Sequence, residues 1–283
     1  MRIVITGGKG MLGRTLQQVL NEHEIVVADL PDWDITEAVG FNENLKNAHA
    51  DAVIHCAAMT AVDKCEIEVD QAYRLNAIGS MNVAAACQRN DVRLIAISTD
   101  YVFGGELDRP YHEFDIAGGA HTVYGVSKFA GEEMIRRHCP NHAICRISWL
   151  YGPGGPSFVH AMMNLADGTR PVIKVVDDQF GNPTSTFAVA RHLKFFLECP
   201  FLVGTYHLTC EGEATWAEFA QEIFRLARKK QEVQPCTTAE FPRPAPRPLN
   251  SRLEKRMLRL CGLPPMPDWH DVLKEFMHYE YDL

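Results

Sequence analysis

The chain has 283 residues, of which 46% are hydrophobic and 23% are charged, and these proportions are typical of a folded globular protein rather than a disordered, collagen-like or coiled-coil chain. Its 28 Lys and Arg residues against 36 Asp and Glu give a formal net charge of −8, spread along the chain, so the sequence has no basic footprint for nucleic acid or for an anionic membrane. No apolar run approaches the length of a membrane span, and the apolar residues of the first predicted strand begin at Ile3, which leaves no room for a signal peptide, so we expect a cytoplasmic protein.

Short apolar strands alternate with amphipathic helices through the first half of the chain. The predicted strands cover 2–6, 24–28, 52–55, 93–98 and 143–149, and the predicted helices cover 11–22, 36–48, 63–89 and 123–138. Alternating β and α units predict a Rossmann-like α/β fold with a doubly wound parallel sheet. Because the strands are uniformly apolar, we expect helices to cover both faces of that sheet.

The second half of the sequence is less regular and predicts a smaller α/β unit. Strand patterns cover 172–176 and 204–208, helical patterns cover 186–198 and 215–229, and two short helices are expected to close the chain. Prolines alternate with other residues over 242–248, which indicates an extended segment. We interpret it as a stiff loop ahead of a helix capped by Ser251, rather than as a ligand for an SH3-type domain.

The nine cysteines are scattered and form no Cys-x-x-Cys pair, which argues against a disulfide framework or a zinc ribbon. His138, Cys139, His142 and Cys145 fall close together, but Cys145 lies within a strand pattern. We therefore predict no metal site.

A glycine-rich turn joins the first predicted strand to the first predicted helix. Gly7, Gly10 and Gly13 have the spacing G-x-x-G-x-x-G. Glycines at these places allow a tight turn, a close approach of the backbone to a pyrophosphate, and close packing of helix on strand. The amides at the helix N-terminus then face the phosphates. Since the motif sits between a strand and a helix, it predicts a dinucleotide site.

Asp29 ends the second predicted strand, where an acidic side chain can accept hydrogen bonds from both ribose hydroxyls of NAD and would repel a 2′-phosphate. This position favours NADH, although Asp29 could also be a turn carboxylate. Asp34 and Ile35, a few residues further on, are alternative candidates for residues that flank the adenine. The preference between NADH and NADPH is left open.

Tyr124 and Lys128 are spaced i, i+4 at the start of a predicted helix, so both project from one face of it. A tyrosine hydroxyl has a pKa near ~10, and a neighbouring cation lowers that pKa toward the range useful for acid–base catalysis. Ser98 and Thr99 end the fourth predicted strand, and ligands of such sheets bind beyond the carboxyl ends of the strands. We expect these groups to meet.

Together with the glycine turn, this set resembles the extended short-chain dehydrogenase/reductases, and longer segments make the resemblance closer. The segments 57–64, 98–103, 124–128, 177–184, 206–208 and 247–251 resemble the dTDP-4-dehydrorhamnose reductase family. The match runs from the first strand to Trp269. It implies an NAD(P)-binding Rossmann domain formed by 1–149 with about 185–203, and a substrate-binding domain formed by 150–184 and 204–283.

The resemblance also implies an activity, which is reduction of the C4 keto group of dTDP-4-dehydro-6-deoxy-L-mannose to give dTDP-L-rhamnose, with NADPH or NADH. In that reaction Tyr124 donates the proton to the C4 oxygen and Lys128 holds the nicotinamide ribose. Thr99 hydrogen-bonds the reacting oxygen.

The implied binding residues fall into two groups. On the cofactor side, Gly10, Met11 and Leu12 contact the pyrophosphate, and Ala58, Met59 and Thr60 lie beside the adjoining ribose. On the substrate side, Asp100 and Trp149 touch the sugar, and Arg247 holds the diphosphate. A core position for Trp149 and a solvent-exposed role for Arg247 are the alternatives.

Two departures from the family pattern limit what carries over. Some members place a carboxylate two residues after the third glycine, where it helps a divalent metal bridge two subunits, but this chain has Thr15 there. A Mg²⁺ requirement is therefore doubtful and the metal-bridged dimer is not predicted, while a homodimer of another kind stays open. Residues 118–121 replace a proline-containing turn, which leaves the shape of the loop before Tyr124 open.

Two other functions remain as alternatives. A nucleotide-sugar 4-epimerase or 4,6-dehydratase shares the fold, but dehydratases follow the catalytic Thr with Asp-Glu, whereas this chain has Thr99-Asp100-Tyr101. A non-catalytic regulatory subunit could retain the fold without needing Tyr124 and Lys128. The presence of the complete catalytic set favours an enzyme.

Overall fold

The structure is a computed structural model that describes residues 1–166 and 169–283. Its strands are β1 Arg2–Thr6, β2 Glu24–Ala28, β3 Ala52–His55, β4 Arg93–Thr99, β5 His142–Ile147, β6 Leu150–Tyr151, β7 Val172–Val176, β8 Phe180–Gly181, β9 Thr184–Ser185, β10 Gly204–His207, β11 Ala214–Thr215 and β12 Glu232–Cys236. Its α-helices are α1 Met11–Val19, α2 Ala38–Ala48, α3 Val62–Cys65, α4 Val69–Tyr73, α5 Ser80–Arg89, α6 Val123–His138, α7 Phe158–Leu165, α8 Thr186–Glu198, α9 Trp216–Leu226, α10 Arg256–Leu260 and α11 Trp269–Tyr281.

A sheet of six parallel strands forms the centre of the molecule, in the order β10-β5-β4-β3-β1-β2. The chain moves to one side of β1 to make β2 and to the other side to make β3, so the strand order reverses at β1. In open sheets of this kind the ligand site lies at such a reversal, beyond the carboxyl ends of the strands. The predicted doubly wound parallel sheet is confirmed.

Alternating side chains of the central strands supply hydrophobic cores on opposite faces of the sheet. Ile3 and Ile5 of β1 pack into one core with Leu16 of α1, whereas Val4 packs into another with Phe41 of α2. Because both faces are covered, every strand position can be apolar, and this explains the uninterrupted apolar runs of the sequence. Among the described residues, none of the helices is both long and apolar enough to cross a bilayer.

In the described part of the chain, three small two-stranded sheets accompany the main sheet, pairing β7 with β12, β6 with β9, and β8 with β11. The strand β12 was not predicted from the sequence. Another difference concerns β10, which the sequence assigned to the substrate domain at 204–283. It hydrogen-bonds to β5 and so extends the main sheet.

The predicted helix 63–89 is wrong as a single element. The structure divides it into α3, α4, a π-helical segment Arg74–Gly79 and α5. The wide π-turn carries Asn76, whose side chain hydrogen-bonds the backbone of Met59 at 2.8 and 3.1 Å and the Ser127 hydroxyl at 3.0 Å. Such turns are often found at functional sites. Through Asn76, this one links the loop after β3 to α6, the helix that carries Tyr124.

Two expectations for the C-terminal region also need correction. Ser251 caps no helix: α10 begins later, at Arg256, and the Ser251 hydroxyl accepts a hydrogen bond from the Trp149 indole nitrogen at 3.3 Å. The final helix α11 has 13 residues rather than being short. Asp268 caps it by accepting a hydrogen bond from the amide of His270.

Candidate active site

A cleft of about 540 Å³ opens at the carboxyl ends of β1 to β4. Most of the residues predicted to bind the cofactor line it: Gly7, Gly10, Met11, Leu12, Gly13, Asp29, Asp34, Ile35, Ala58, Thr60, Tyr124 and Lys128. The cleft therefore collects in one place residues that are more than 100 positions apart in the sequence, and its location is the strand reversal described above.

The glycine turn is packed so closely that side chains would not fit. Gly7 has a φ of +66°, and a Cβ there would lie 2.8 Å from the Ala57 nitrogen. At Gly13 a Cβ would lie 2.5 Å from the Gly7 oxygen. Gly10 precedes the first residue of α1, so the free amides of that helix face the cleft. This cradle fits the pyrophosphate of a dinucleotide.

Asp29 lies in the cleft and also organises the glycine turn. Its Oδ2 accepts a hydrogen bond from the Lys9 backbone nitrogen and its Oδ1 accepts one from the Leu30 nitrogen, both at 2.9 Å. The Lys9 ammonium donates to the Leu30 carbonyl at 2.7 Å. Asp29 thus has the turn role that was the alternative, because it hydrogen-bonds the turn amides. Its contact with the cofactor ribose stays a prediction.

Met59 is the exception among the predicted cofactor residues. Its side chain does not line the cleft but packs in a small buried cluster with Cys65, Ala72 and Tyr124. Any contact with a cofactor ribose would therefore come from its backbone.

The sequence missed Trp33, which lines the cleft and packs edge-on against Phe41, with ring centroids 5.5 Å apart. Its position one residue before Asp34 was the available signal.

Tyr124 and Lys128 line the cleft, and Thr99 lies beside Tyr124. All three are at least nine-tenths buried, and the Tyr124 side chain interacts with that of Thr99. Thr122 starts α6 by accepting a hydrogen bond from the Gly125 nitrogen at 3.0 Å, which places Tyr124 and Lys128 on its first two turns.

The expectation that Lys128 lowers the pKa of Tyr124 is wrong for this structure. Burial raises the pKa of Tyr124 and outweighs the opposing hydrogen bond from Thr99. The Lys128 ammonium instead donates to the Ile97 carbonyl at 2.9 Å, and burial lowers its pKa to about 8. Tyr124 is therefore a neutral phenol that still holds its proton at neutral pH.

Behind Lys128, the same helix face carries a buried charged network. Glu132 accepts hydrogen bonds from the Arg146 guanidinium at 2.9 and 2.7 Å and from the Ser98 hydroxyl at 2.6 Å. These bonds hold the pKa of Glu132 at about 2 despite its burial. The network joins β4, β5 and α6 and so fixes the helix that carries Tyr124.

Trp149 lies between β5 and β6, in a strained backbone conformation with a φ of +46°. Its indole stacks on that of Trp216, with ring centroids 3.5 Å apart and an angle of 6° between the planes. A Cβ at Gly181 would lie 2.3 Å from the Trp149 ring. Trp149 is partly exposed and also packs against the main hydrophobic core, and its contact with the sugar stays a prediction. The sequence missed Trp216 because the contact spans a long separation.

Arg247 lies outside the cleft, beside it. Together with Tyr101 it lines a small adjoining pocket. Its guanidinium pairs with the Asp63 carboxylate at 2.9 Å, and Asp63 also accepts a hydrogen bond from the Ala245 nitrogen at 3.1 Å. The guanidinium is therefore held in place near the site, while its contact with a diphosphate stays a prediction.

Thr15, where some family members carry a carboxylate, is fully buried and donates a hydrogen bond to the Thr186 hydroxyl at 2.9 Å. Over residues 1–166 and 169–283, no cluster of three or more His, Cys, Asp or Glu side chains is arranged to hold a metal ion.

Comparison with known proteins identifies the family. The family model described as RmlD substrate binding domain matches residues 1–281. The chain belongs to this family. An RmlD-family relative from Streptomyces griseus, dTDP-4-dehydrorhamnose reductase, is 38% identical over 283 residues, which cover 97% of this chain and 92% of the relative.

Solved structures of dTDP-4-dehydrorhamnose reductases agree closely with this fold. The dTDP-4-dehydrorhamnose reductase ortholog from Clostridium acetobutylicum has a TM-score of 0.95 and 43% identity over 99% of both chains. The enzyme from Bacillus anthracis, solved in complex with NADP, has a TM-score of 0.94 and 39% identity over 99% of both chains. The predicted family, the fold class and the NAD(P)-dependent oxidoreductase class are therefore confirmed.

Proposed function

We propose that this protein reduces the C4 keto group of dTDP-4-dehydro-6-deoxy-L-mannose and forms dTDP-L-rhamnose, with NADPH or NADH. The observation that carries the proposal is that Tyr124 and Lys128 line the dinucleotide cleft beside Thr99. The choice of sugar nucleotide is supported by the relatives, which are dTDP-4-dehydrorhamnose reductases.

When bound, the dinucleotide supplies a hydride for C4. The task of the chain is to give a proton to the C4 oxygen, and Tyr124 is the donor. Because its pKa is raised by burial, its hydroxyl keeps the proton until the oxygen becomes basic, which suits the reductive direction. Thr99 hydrogen-bonds the same oxygen. Lys128 holds the nicotinamide ribose through its ammonium group.

The remaining contacts come from residues in the cleft and from others outside it. Backbone amides at Gly7, Gly10, Met11, Leu12 and Gly13 hold the pyrophosphate, and Ala58, Met59 and Thr60 lie beside the ribose. Asp29, Asp34 and Ile35 contact the adenosine end. On the substrate side, Asp100 and the exposed face of Trp149 contact the sugar, and Arg247 moves from Asp63 to the diphosphate.

The test is a turnover assay with product identification. The purified protein is mixed with dTDP-4-dehydro-6-deoxy-L-mannose and NADPH or NADH, and the loss of reduced cofactor is followed by absorbance. We expect one cofactor oxidised for each dTDP-L-rhamnose formed, with the C4 configuration identified by NMR. The control substrate is dTDP-glucose, which has no keto group to reduce.

Two outcomes would contradict the proposal. Tight cofactor binding with no oxidation would favour a non-catalytic subunit. An epimerised sugar, produced by protein purified with NAD already bound, would favour an epimerase.

The cytoplasmic location, the domain boundaries and a homodimeric state stay predictions. Sedimentation of the purified chain measures whether it forms a homodimer.

A further inference from the structure

Asp100 is a buried carboxyl group next to the proton donor. It begins the 3-10 turn Asp100–Val102 directly after β4, and it is 4% exposed. Its Oδ1 accepts a hydrogen bond from the Thr99 hydroxyl at 2.9 Å. Its Oδ2 is shielded from solvent, and within the described part of the chain no donor meets it with hydrogen-bond geometry. A negative charge here would lose its hydration, and its interactions with the protein offset that loss only in part.

Thr99 has one hydroxyl hydrogen but three polar neighbours. Its oxygen accepts a hydrogen bond from the Tyr101 nitrogen at 3.3 Å, and the hydroxyl also contacts Asp100 and Tyr124. If Asp100 is ionised it can only accept, so Thr99 must donate to it. Tyr124 then donates to Thr99, and both hydrogens point away from a substrate.

A proton on Asp100 reverses the direction of this chain of hydrogen bonds. The carboxylic acid donates to Thr99 Oγ1, and the Thr99 hydrogen becomes free to point into the site. The Tyr124 hydroxyl no longer has to donate to Thr99, so its proton is also available. The protonation state of Asp100 therefore decides where two catalytic hydrogens point.

We propose that Asp100 acts as a neutral carboxylic acid during reduction and directs the hydroxyl hydrogens of Thr99 and Tyr124 toward the reacting C4 oxygen. The inference rests on the proposed reductase function. Asp100 is a positioning residue in this role, because it acts through Thr99. The proton that reaches the C4 oxygen leaves Tyr124, and Asp100 keeps its own.

The surroundings of Asp100 favour the neutral form. Burial raises its pKa to about 7, which outweighs the opposing effects of Thr99, of Ser251 and of the backbone amides of Asp100 and Tyr101. Of these, Thr99 ends β4 and Ser251 comes from the C-terminal segment, and neither carries a charge.

The other titratable neighbours do not supply a compensating charge. Tyr101 on the same turn and Tyr124 on α6 both interact with Asp100, and burial raises the pKa of each, so both are neutral phenols. Arg247 and Asp63 interact with Tyr101 and pair with each other. Their opposite charges offset one another near the Asp100 turn.

The proposal predicts that turnover falls as the pH rises through the pKa of Asp100. The active form is the acid, so activity is retained below about 7 and lost above it. A second loss follows when Lys128 gives up its proton, at a pKa of about 8. The two groups can be separated by a substitution at Asp100.

The decisive variant is Asp100→Asn, whose amide N–H₂ donates to Thr99 as the carboxylic acid does. Between about pH 6 and about pH 9 the acid form of Asp100 falls by about 100-fold and the ammonium form of Lys128 by about tenfold, so we expect wild-type kcat to fall on the order of 1000-fold. In Asp100→Asn the fall should begin about one pH unit higher, at the pKa of Lys128. The comparison uses the shape of each profile rather than the absolute kcat.

Thr99 provides the matched control pair. Thr99→Ser keeps the hydroxyl, so its pH profile should have the same shape as that of the wild type. Thr99→Val removes the hydrogen bond to Asp100, so its profile should lack the limb near about pH 7, which is the fall in kcat caused by ionisation of Asp100. An Asp100→Asn profile identical to the wild-type profile, or a Thr99→Ser profile without the limb, overturns the proposal.

Infrared spectroscopy tests the protonation of Asp100 without turnover. The difference spectrum of wild type minus Asp100→Asn at about pH 6 should contain the C=O stretch of a protonated carboxyl, and the band should vanish by about pH 9. If the variant does not fold, the pH titration of the wild-type band alone decides. A missing band in an enzyme that turns over overturns this inference alone, whereas a missing turnover overturns the proposed function.

Discussion

The cofactor wall of the cleft is made of backbone and strand ends, whereas the wall assigned to the sugar nucleotide is made of side chains from distant segments. On the first, the Gly7 nitrogen donates to the Ala28 carbonyl at 3.0 Å and the Gly10 nitrogen donates to the Gly7 carbonyl at 3.0 Å. On the second, Trp149 reaches Ser251 across 102 residues of sequence.

This difference has a consequence for specificity. A backbone cradle recognises what all dinucleotides share, because amides and tight turns read the pyrophosphate rather than its substituents. A wall of side chains can be changed one residue at a time while the sheet remains intact. Under the proposed function, the second wall therefore selects the substrate, and the reaction takes place at Tyr124, between the two walls.

Replacing Tyr124 with Phe tests that meeting point and should have the largest effect. The phenylalanine ring still packs, but the proton donor is lost, so kcat should fall by roughly 10² to 10⁴. Cofactor affinity, measured by fluorescence titration, should stay within a few-fold. Retention of more than about a tenth of the wild-type kcat would show that another group donates the proton.

Gly13→Ala tests the backbone wall. The new Cβ would lie 2.5 Å from the Gly7 oxygen, so the turn must move, at a cost of roughly 1–3 kcal/mol in cofactor binding or in stability. Calorimetry with NADPH and thermal unfolding measure the two. The matched control is Gly40→Ala in α2, where a Cβ meets no described atom within 4 Å and the helix should gain up to about 1 kcal/mol. Equal NADPH affinity and equal unfolding temperature in the two variants would contradict the close packing at Gly13.

Arg247→Ala tests the side-chain wall. Loss of a guanidinium that holds a diphosphate should raise KM for the sugar nucleotide by roughly tenfold, about 1.4 kcal/mol, with cofactor binding unchanged. The control is Arg243→Ala in the same segment, since that guanidinium lies over the Phe241 ring, 4.8 Å from its centroid. An unaltered KM in Arg247→Ala would assign Arg247 to its ion pair with Asp63 alone.

Trp216→Ala tests whether the stacked pair forms a platform. Without its partner the Trp149 indole loses a stacking contact of about 0.5–1.5 kcal/mol, so KM for the sugar nucleotide should rise by roughly two- to tenfold. Trp216→Phe should retain most of the affinity. Trp33→Ala provides the contrast, because Trp33 lines the cofactor side and should affect NADPH binding instead. A KM that responds equally to both alanine variants would argue against separate walls.

Asp29→Ala is expected to have the smallest effect, a shift of a few-fold toward NADPH, because it removes a charge that repels the 2′-phosphate. The ratio of kcat/KM for the two cofactors is the measurement. Asp29→Asn separates the roles in part, since it removes the charge and keeps one acceptor oxygen for the turn amide of either Lys9 or Leu30. A ratio that does not move in either variant would make Asp29 a turn residue only.

Local signals in the sequence determined the central part of the fold and the cofactor wall. The strands of the main sheet and α6 at 123–138 agree with their predicted ranges to within two residues, because apolar runs and a Thr122 cap are written within a few positions of the chain. The glycine spacing predicted the turn between β1 and α1 for the same reason, because such a turn depends only on the backbone conformation of neighbouring residues.

Only the tertiary structure decided the rest of the site. The break of 63–89 at the π-turn depends on Asn76 reaching Met59 and Ser127. The stack of Trp149 on Trp216 likewise needs the folded chain to bring the two rings together. The raised pKa of Tyr124 has the same origin, since the sequence places Lys128 one helical turn away but does not show how much water the fold removes. Burial is a property of the whole packed chain, and so it was not readable from any one segment.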